Sequence, residues 1–190
     1  MIDRVQASQA LADMIRDELV VTGIGTQTIS WHHAKHRQKN LYLLGPMGLA
    51  PAVGLGVALA HPDKKVIAME GDGGLLMALS SMAAVAHCRP KNLMIICMDN
   101  GIYESGGKGP TVNTGTTDFA ATVQGIGIPV VRAVDELQAL KSTAAELLQE
   151  WTCSFLHVRV APLKAPLKPP RLKPFEIKYH FLEALRKSTR

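Results

Sequence analysis

The stretch from residue 66 to residue 103 constrains this chain more than any other. Residues 66–69 are a short apolar, partly β-branched run of the kind that forms a strand buried on both faces. It leads into Glu70-Gly71-Asp72-Gly73-Gly74. Glycines there let the backbone turn sharply and let a large ligand approach closely. Residues 75–87 carry a helical pattern, so the free N–H groups of their first turn point back at the glycine turn. A second apolar run, residues 93–98, ends in Asp99-Asn100-Gly101-Ile102-Tyr103. If the two strands are neighbours, Asp72 and Asn100 converge at the carboxyl ends of the sheet, where ligands of open α/β sheets sit.

That pairing suits a hard divalent cation. Mg²⁺ takes oxygen ligands, one or two of them from protein and the rest from phosphate and water. Asp72 offers a carboxylate oxygen, Asn100 an amide oxygen and Ile102 a backbone carbonyl. The N–H groups of Gly71, Gly73 and Gly74, with the start of the helix, would hold a diphosphate on the far side of the metal. Either turn alone reads as an ordinary surface turn. Together, each at the end of a buried strand with one helix between, they favour a diphosphate site.

The rest of the chain alternates in the same way. Residues 6–19 show a helical stripe (Ala10, Leu11, Met14, Ile15, Leu19), and residues 20–22 a short strand. Residues 40–44 form the next strand, running into Gly45-Pro46-Met47-Gly48, and residues 49–61 a helix rich in small residues. Asp118 caps a helix, residues 130–133 read as a strand, 135–151 as an amphipathic helix and 154–160 as the last strand. Strands alternating with helices call for an α/β fold: a doubly wound, mostly parallel sheet with helices on both faces. Residues 104–117 form a long Gly-rich polar loop, suited equally to closing over a site or to lying at the surface, and its Lys108 is placed to meet an anion. Residues 161–174 hold too many prolines for helix or strand and read as a basic extended arm, with enough apolar residues in 175–185 to dock somewhere, for example on a partner chain, the competing reading being a solvated tail. The boundaries are therefore 1–160 for the sheet domain and 161–190 for the arm.

At 190 residues the chain can bury one substantial core. No run of apolar residues is long enough to cross a membrane, and no secretion signal is evident at the start, so the cytoplasm is the default. Cys88, Cys97 and Cys153 show no paired spacing, which argues against disulfides, zinc and iron–sulfur clusters. The net charge of +5 gathers in the arm and around His32-His33-Ala34-Lys35-His36-Arg37. Without aromatic interleaving or a recognised motif, nucleic-acid binding is not expected. The histidines have no accompanying acid or thiol and read as part of a solvated basic face.

Gly71-Asp72-Gly73, then 25 residues, then Asp99-Asn100 resembles the signature of thiamine diphosphate-dependent enzymes. The pattern has Asp99 where the family's first Asn stands, and keeps the second as Asn100. Tyr42-Leu-Leu-Gly45-Pro-Met47-Gly48 and Asp99-Asn100-Gly-Ile-Tyr103-Glu104-Ser105 are similar to segments in the diphosphate-binding domain of sulfopyruvate and phosphonopyruvate decarboxylases. The resemblance covers residues 22–160. It implies thiamine diphosphate and Mg²⁺ as cofactors, with Asp72, Asn100 and the Ile102 carbonyl on the metal. Gly71, Gly73, Gly74 and Tyr103 would line the cofactor site. It further implies that Met47 wedges between the two cofactor rings and that the Gly45 carbonyl accepts from the pyrimidine amino group. Pro46, where relatives often carry Ser, departs from the pattern where substrate is recognised.

In such enzymes the catalytic glutamate comes from a pyrimidine-binding domain across a subunit interface. No glutamate here, Glu18 and Glu70 included, sits in a matching context, so no catalytic residue is expected in this chain. The resemblance thus implies a decarboxylase subunit for a small anionic 2-oxo acid, sulfonated or phosphonated. It would be part of a hetero-oligomer with a pyrimidine-domain partner and homodimer contacts. The alternatives are a subunit of an acetolactate synthase-like carboligase and a non-catalytic cofactor-binding module.

Overall fold

The computed structural model describes residues 1–112 and 116–187. Seven strands are β1 (Ile2–Asp3), β2 (Leu19–Thr22), β3 (Asn40–Tyr42), β4 (Val66–Gly71), β5 (Leu93–Asp99), β6 (Val130–Val134) and β7 (Ser154–Ala161). They form one sheet in the order β1-β7-β5-β4-β2-β3, with β6 also pairing β7, and every pairing is parallel. The helices are α1 (Arg4–Met14), α2 (Thr26–Ala34), α3 (Ala50–Ala60), α4 (Asp72–Met77), α5 (Ser80–Cys88), α6 (Phe119–Ile126), α7 (Leu137–Gln149) and α8 (Pro174–Lys187).

Alternation along the central strands divides the core in two. Met94, Ile96 and Met98 face Leu11, Trp31 and Leu140, on the side of α1, α2 and α7. Leu93, Ile95 and Cys97 face Leu55, Met82 and Phe119, on the side of α3, α5 and α6. Both faces are therefore covered, which is why β4 and β5 read as continuous apolar runs. After β3 the chain crosses back over β2 to lay β4 on its other side, opening a crevice at the carboxyl ends of β2 and β4, where the order reverses.

Four local features differ from the sequence pattern. The first helix starts at Arg4 behind a two-residue strand; Asp3 caps it, Oδ1 accepting from Val5 and Gln6 N–H at 2.9 and 3.2 Å. It stops at Met14, and the basic residues beyond α2 hold its end. Lys35 Nζ donates to the carbonyls of Ala12 and Ile15 at 2.6 Å each, and Arg37 donates to those of Arg16 and Glu18. Cations collected on the exposed carbonyls of a helix end are favourably placed, so this part of the basic cluster is structural rather than solvated. The helix after the glycine turn breaks at residues 78–79 into α4 and α5. Finally, α8 docks on this chain.

That docking covers the exposed edge of β3. Ile177 enters the core on one sheet face and Phe181 on the other, and both are buried. Closing an edge strand in this way keeps its unpaired N–H and C=O groups from pairing with another chain. Phe181→Leu is expected to cost about 1 kcal/mol in urea denaturation; no loss would mean that α8 leaves the sheet in solution. Among the described residues, no helix is long and apolar enough to cross a membrane.

Candidate functional site

The cleft at the carboxyl ends of the strands is walled by residues 24–27, Met47, residues 70–74, Asn100 and residues 102–106, with Arg4 reaching it from the chain's start. Asp72 opens α4 and is 2% exposed. Its Oδ2 accepts from the Gly101 N–H at 3.1 Å and from Thr111 Oγ1 at 2.7 Å. The two turn tips, nearly thirty residues apart in sequence, thus meet through a direct hydrogen bond. Burial pushes the Asp72 carboxyl above the ordinary aspartate range, with Asp99 adding to the push and the Thr111 bond opposing it.

Asn100 follows β5. Its Nδ2 donates to Glu104 Oε2 at 2.9 Å, and its Oδ1 accepts from the Ile102 N–H at 3.2 Å. Asp99 does not wall the cleft but supports the turn from behind. Its Oδ1 accepts from the same Gly101 N–H at 3.0 Å, and its Oδ2 lies 2.8 Å from His157 Nε2. An aspartate at this position therefore fixes the tip against the neighbouring strand β7.

The glycine turn is shaped by what presses on it. A Cβ on Gly73 would stand 2.6 Å from Tyr103 Cδ1, and one on Gly74 2.7 Å from the Glu70 carboxyl carbon. Only side-chain-free residues allow these approaches. A Cβ on Gly71 would meet nothing within 4 Å. Glu70, 3% exposed, accepts from the Gly71 N–H at 3.1 Å and from the Ala50 N–H at 3.4 Å. Burial raises its carboxyl above the usual range against those bonds. Met47 is half-buried in the cleft wall, whereas Gly45, exposed at φ +123°, is not among the lining residues.

The loop after Tyr103 is compact. Tyr103 and Lys108 N–H donate to the carbonyls of Gly109 and Tyr103, and the Thr111 N–H donates to that of Gly101. Lys108 is exposed and outside the cleft wall. Residues 113–115 of this loop lie outside the described residues.

Residues 23–158 match the family model described as "Thiamine pyrophosphate enzyme, C-terminal TPP binding domain". This chain belongs to that family. It is similar to the sulfopyruvate decarboxylase subunit beta of Methanocaldococcus jannaschii, 32% identical over 171 residues, covering 90% of each chain. The sulfopyruvate decarboxylase of Methanosarcina acetivorans is 33% identical over 184 residues, covering 96% of this chain and 47% of that one. The phosphonopyruvate decarboxylase of Streptomyces viridochromogenes is 33% identical, covering 90% and 43%. A solved structure described as a thiamin diphosphate-dependent enzyme of Mycobacterium smegmatis shares the fold with a TM-score of 0.72 at 19% identity, over 85% of this chain and 32% of that one.

The residues of the cleft fit the family's cofactor. A carboxylate, an amide and a main-chain carbonyl are all oxygen donors, carried on two turns that the Gly101–Asp72 hydrogen bond joins, beside a glycine turn whose Gly71 has open space where a side chain would be. Three groups of this site were not singled out by sequence reasoning. Arg4 enters through β1, whose two residues give no pattern. Thr111 lies in a loop of many hydroxyls. Glu104 carries one usable signal: it stands four residues after Asn100.

Proposed function

We propose that this chain is the thiamine diphosphate- and Mg²⁺-binding subunit of a 2-oxo acid decarboxylase. Its substrate would carry a second anionic group, a sulfonate or phosphonate, and a separate pyrimidine-domain subunit would complete the site. The observation that carries this reading is the bond from Gly101 to Asp72, which sets the Asp72 carboxylate beside the Asn100 turn. Asp72, Asn100 and the Ile102 carbonyl would hold the metal. Gly71, Gly73 and Gly74 would meet the diphosphate, Tyr103 would cover the glycine turn, and Met47 and Gly45 would serve the pyrimidine end. When bound, the cofactor supplies the electron sink for the pair released as CO₂ leaves.

The lengths of the relatives support a partner. Those that match this chain nearly end to end are named subunit beta, while those named as the decarboxylase without a subunit are about twice as long. The carboxylates of the cleft point the same way. Glu70 is engaged by main-chain N–H groups and Glu104 by Asn100 and Leu163, so neither is free to act on the pyrimidine ring. The catalytic glutamate would therefore come from the partner subunit.

The test is to assay the chain with the protein that co-purifies with it, measuring CO₂ release from sulfopyruvate, phosphonopyruvate and pyruvate. Turnover of a sulfonated or phosphonated acid is expected, with at least about tenfold preference in kcat/KM over pyruvate. Acetolactate formed from pyruvate would assign a carboligase instead. Tight binding of thiamine diphosphate without turnover in every mixture would make the chain a binding module.

A further inference from the structure

An amide side chain has two ends of the same shape and opposite polarity. A cation needs the oxygen end, so a metal-ligating asparagine works only if something fixes which end faces the metal. In this cleft two neighbours of Asn100 set the choice in the same sense: within the turn the Ile102 N–H donates to Oδ1 at 3.2 Å, and at the other end of the amide stands Glu104. Its carboxylate only accepts, so the bond at 2.9 Å must come from Nδ2, and Oδ1 is left on the other side. Glu104 is itself held from two directions. Its Oε1 accepts from the Leu163 N–H at 2.6 Å, where the chain leaves β7 for the arm, and Arg4 Nε lies 3.8 Å from its Oε2.

Arg4 is 3% exposed, and its Nε has no hydrogen-bond partner among the described residues. The guanidinium sits 3.5 Å from the Met98 carbonyl, under the turn that carries Asn100. Burial lowers its pKa, while Glu104, Asp72 and Asp99 act in the opposite sense. A buried cation with a poor set of hydrogen bonds is costly unless opposite charge surrounds it. Here it is the counter-charge that makes a carboxylate tolerable at position 104.

We infer that Glu104 is a positioning residue that selects the amide orientation of Asn100, with Arg4 balancing its charge. The inference rests on the reading of Asn100 as a metal ligand. It assigns the Tyr-Glu-Ser segment after the turn to metal binding, through Asn100 rather than by direct contact.

A double-mutant cycle tests this on the full 190-residue chain. The readout is Mn²⁺ affinity in the presence of thiamine diphosphate, followed by the electron paramagnetic resonance of the bound ion, with melting temperature as the check on folding. Asn100→Asp alone faces two carboxylates across a hydrogen-bond distance and should weaken Mn²⁺ at least about tenfold. Glu104→Gln alone keeps the shape and should cost about threefold. In the double variant the amide introduced at position 104 donates to the new carboxylate at position 100, restoring the bond with donor and acceptor exchanged. Affinity should then return to within about threefold of wild type.

Any effect of position 104 through Leu163 or Arg4 is present in both backgrounds and cancels from the cycle. Losses that simply multiply would therefore overturn the inference and leave the metal site standing. A wild-type chain that takes up no Mn²⁺ with thiamine diphosphate would remove the metal reading and this inference with it. Should the double variant fail to fold, Glu104→Asp serves in its place. It keeps the charge but falls a methylene short of Nδ2, so a loss of about tenfold is expected, and unchanged affinity would overturn the assignment.

Discussion

Asp72→Asn is expected to abolish Mg²⁺-dependent uptake of thiamine diphosphate while raising the melting temperature of the metal-free chain. The two effects have one cause. The Asp72 carboxyl is buried beside Asp99, and burial holds its pKa above the ordinary aspartate value. The folded metal-free chain therefore binds a proton there more readily than the unfolded chain does. Stability contributed at this site falls as pH rises from the unfolded pKa through the folded one, and at neutral pH the charged form is a burden. Asparagine keeps an oxygen to accept from Gly101 and Thr111 and removes the charge. A gain of about 1 kcal/mol at neutral pH is the usual scale for one stabilising change.

The advantage of the variant should shrink as pH falls through the folded pKa of Asp72, because the wild-type carboxyl is then neutral as well. Melts of both chains in a chelating buffer, across about pH 4 to pH 8, check the sign. Cofactor uptake should fall at least about 100-fold, read by calorimetry with and without Mg²⁺. Undiminished uptake by the variant would remove Asp72 from the metal site and with it the proposed function.

Much of this site was legible because its frame is made of strands buried on both faces. β4 and β5 read as apolar runs of strand length, Asp72 and Asn100 just past their ends are the polar residues that reach the cleft, and the meeting of Asp72 with the Asn100 turn follows once the strands are neighbours. What the pattern missed depends on contacts between distant segments. β1 is two residues long and exists only because Ile2 and Asp3 align with Val160 and Ala161, so Arg4 had no signal. The break between α4 and α5 falls at Ala78 and Leu79, both good helix formers. It is associated with the Gly48 loop, where a Cβ would stand 2.5 Å from the Gly74 carbonyl and 2.7 Å from Ala78 Cβ. Lys35 and Arg37 looked solvated because nothing in sequence places the carbonyls of residues 12–18 beside them.

Glu70 was the clearest case of a residue visible but not interpretable. Its position beside Gly-Asp-Gly was plain, whereas its role depends on Gly23 and Ala50, which reach it only through the topology. That role leads to the second large effect. Gly23→Ala is expected to cost about 3 kcal/mol of stability, combining overpacking with disrupted charged hydrogen bonds. A Cβ there would lie 2.6 Å from the Glu70 carboxyl carbon and 2.7 Å from Oε2. The carboxyl lies between Gly23 and Gly74, in the space that a side chain on either would occupy, and the Gly71 and Ala50 N–H groups hold its oxygens. To make room it must leave those donors, and a buried carboxyl and the two N–H groups then lose their partners.

Two controls isolate the mechanism. Gly71→Ala adds the same methyl where nothing lies within 4 Å, so its stability should change by no more than about 0.5 kcal/mol. Combining Gly23→Ala with Glu70→Ala removes the obstructing carboxyl, so the pair should be less destabilised than the sum of the singles by at least about 1 kcal/mol. Urea denaturation measures all four variants against the wild type, with unchanged slopes showing that stability and not compactness is what changed. Equal midpoints for the position 23 and position 71 variants would show that Glu70 is free to shift, and that the glycines flanking it are not there for its carboxylate.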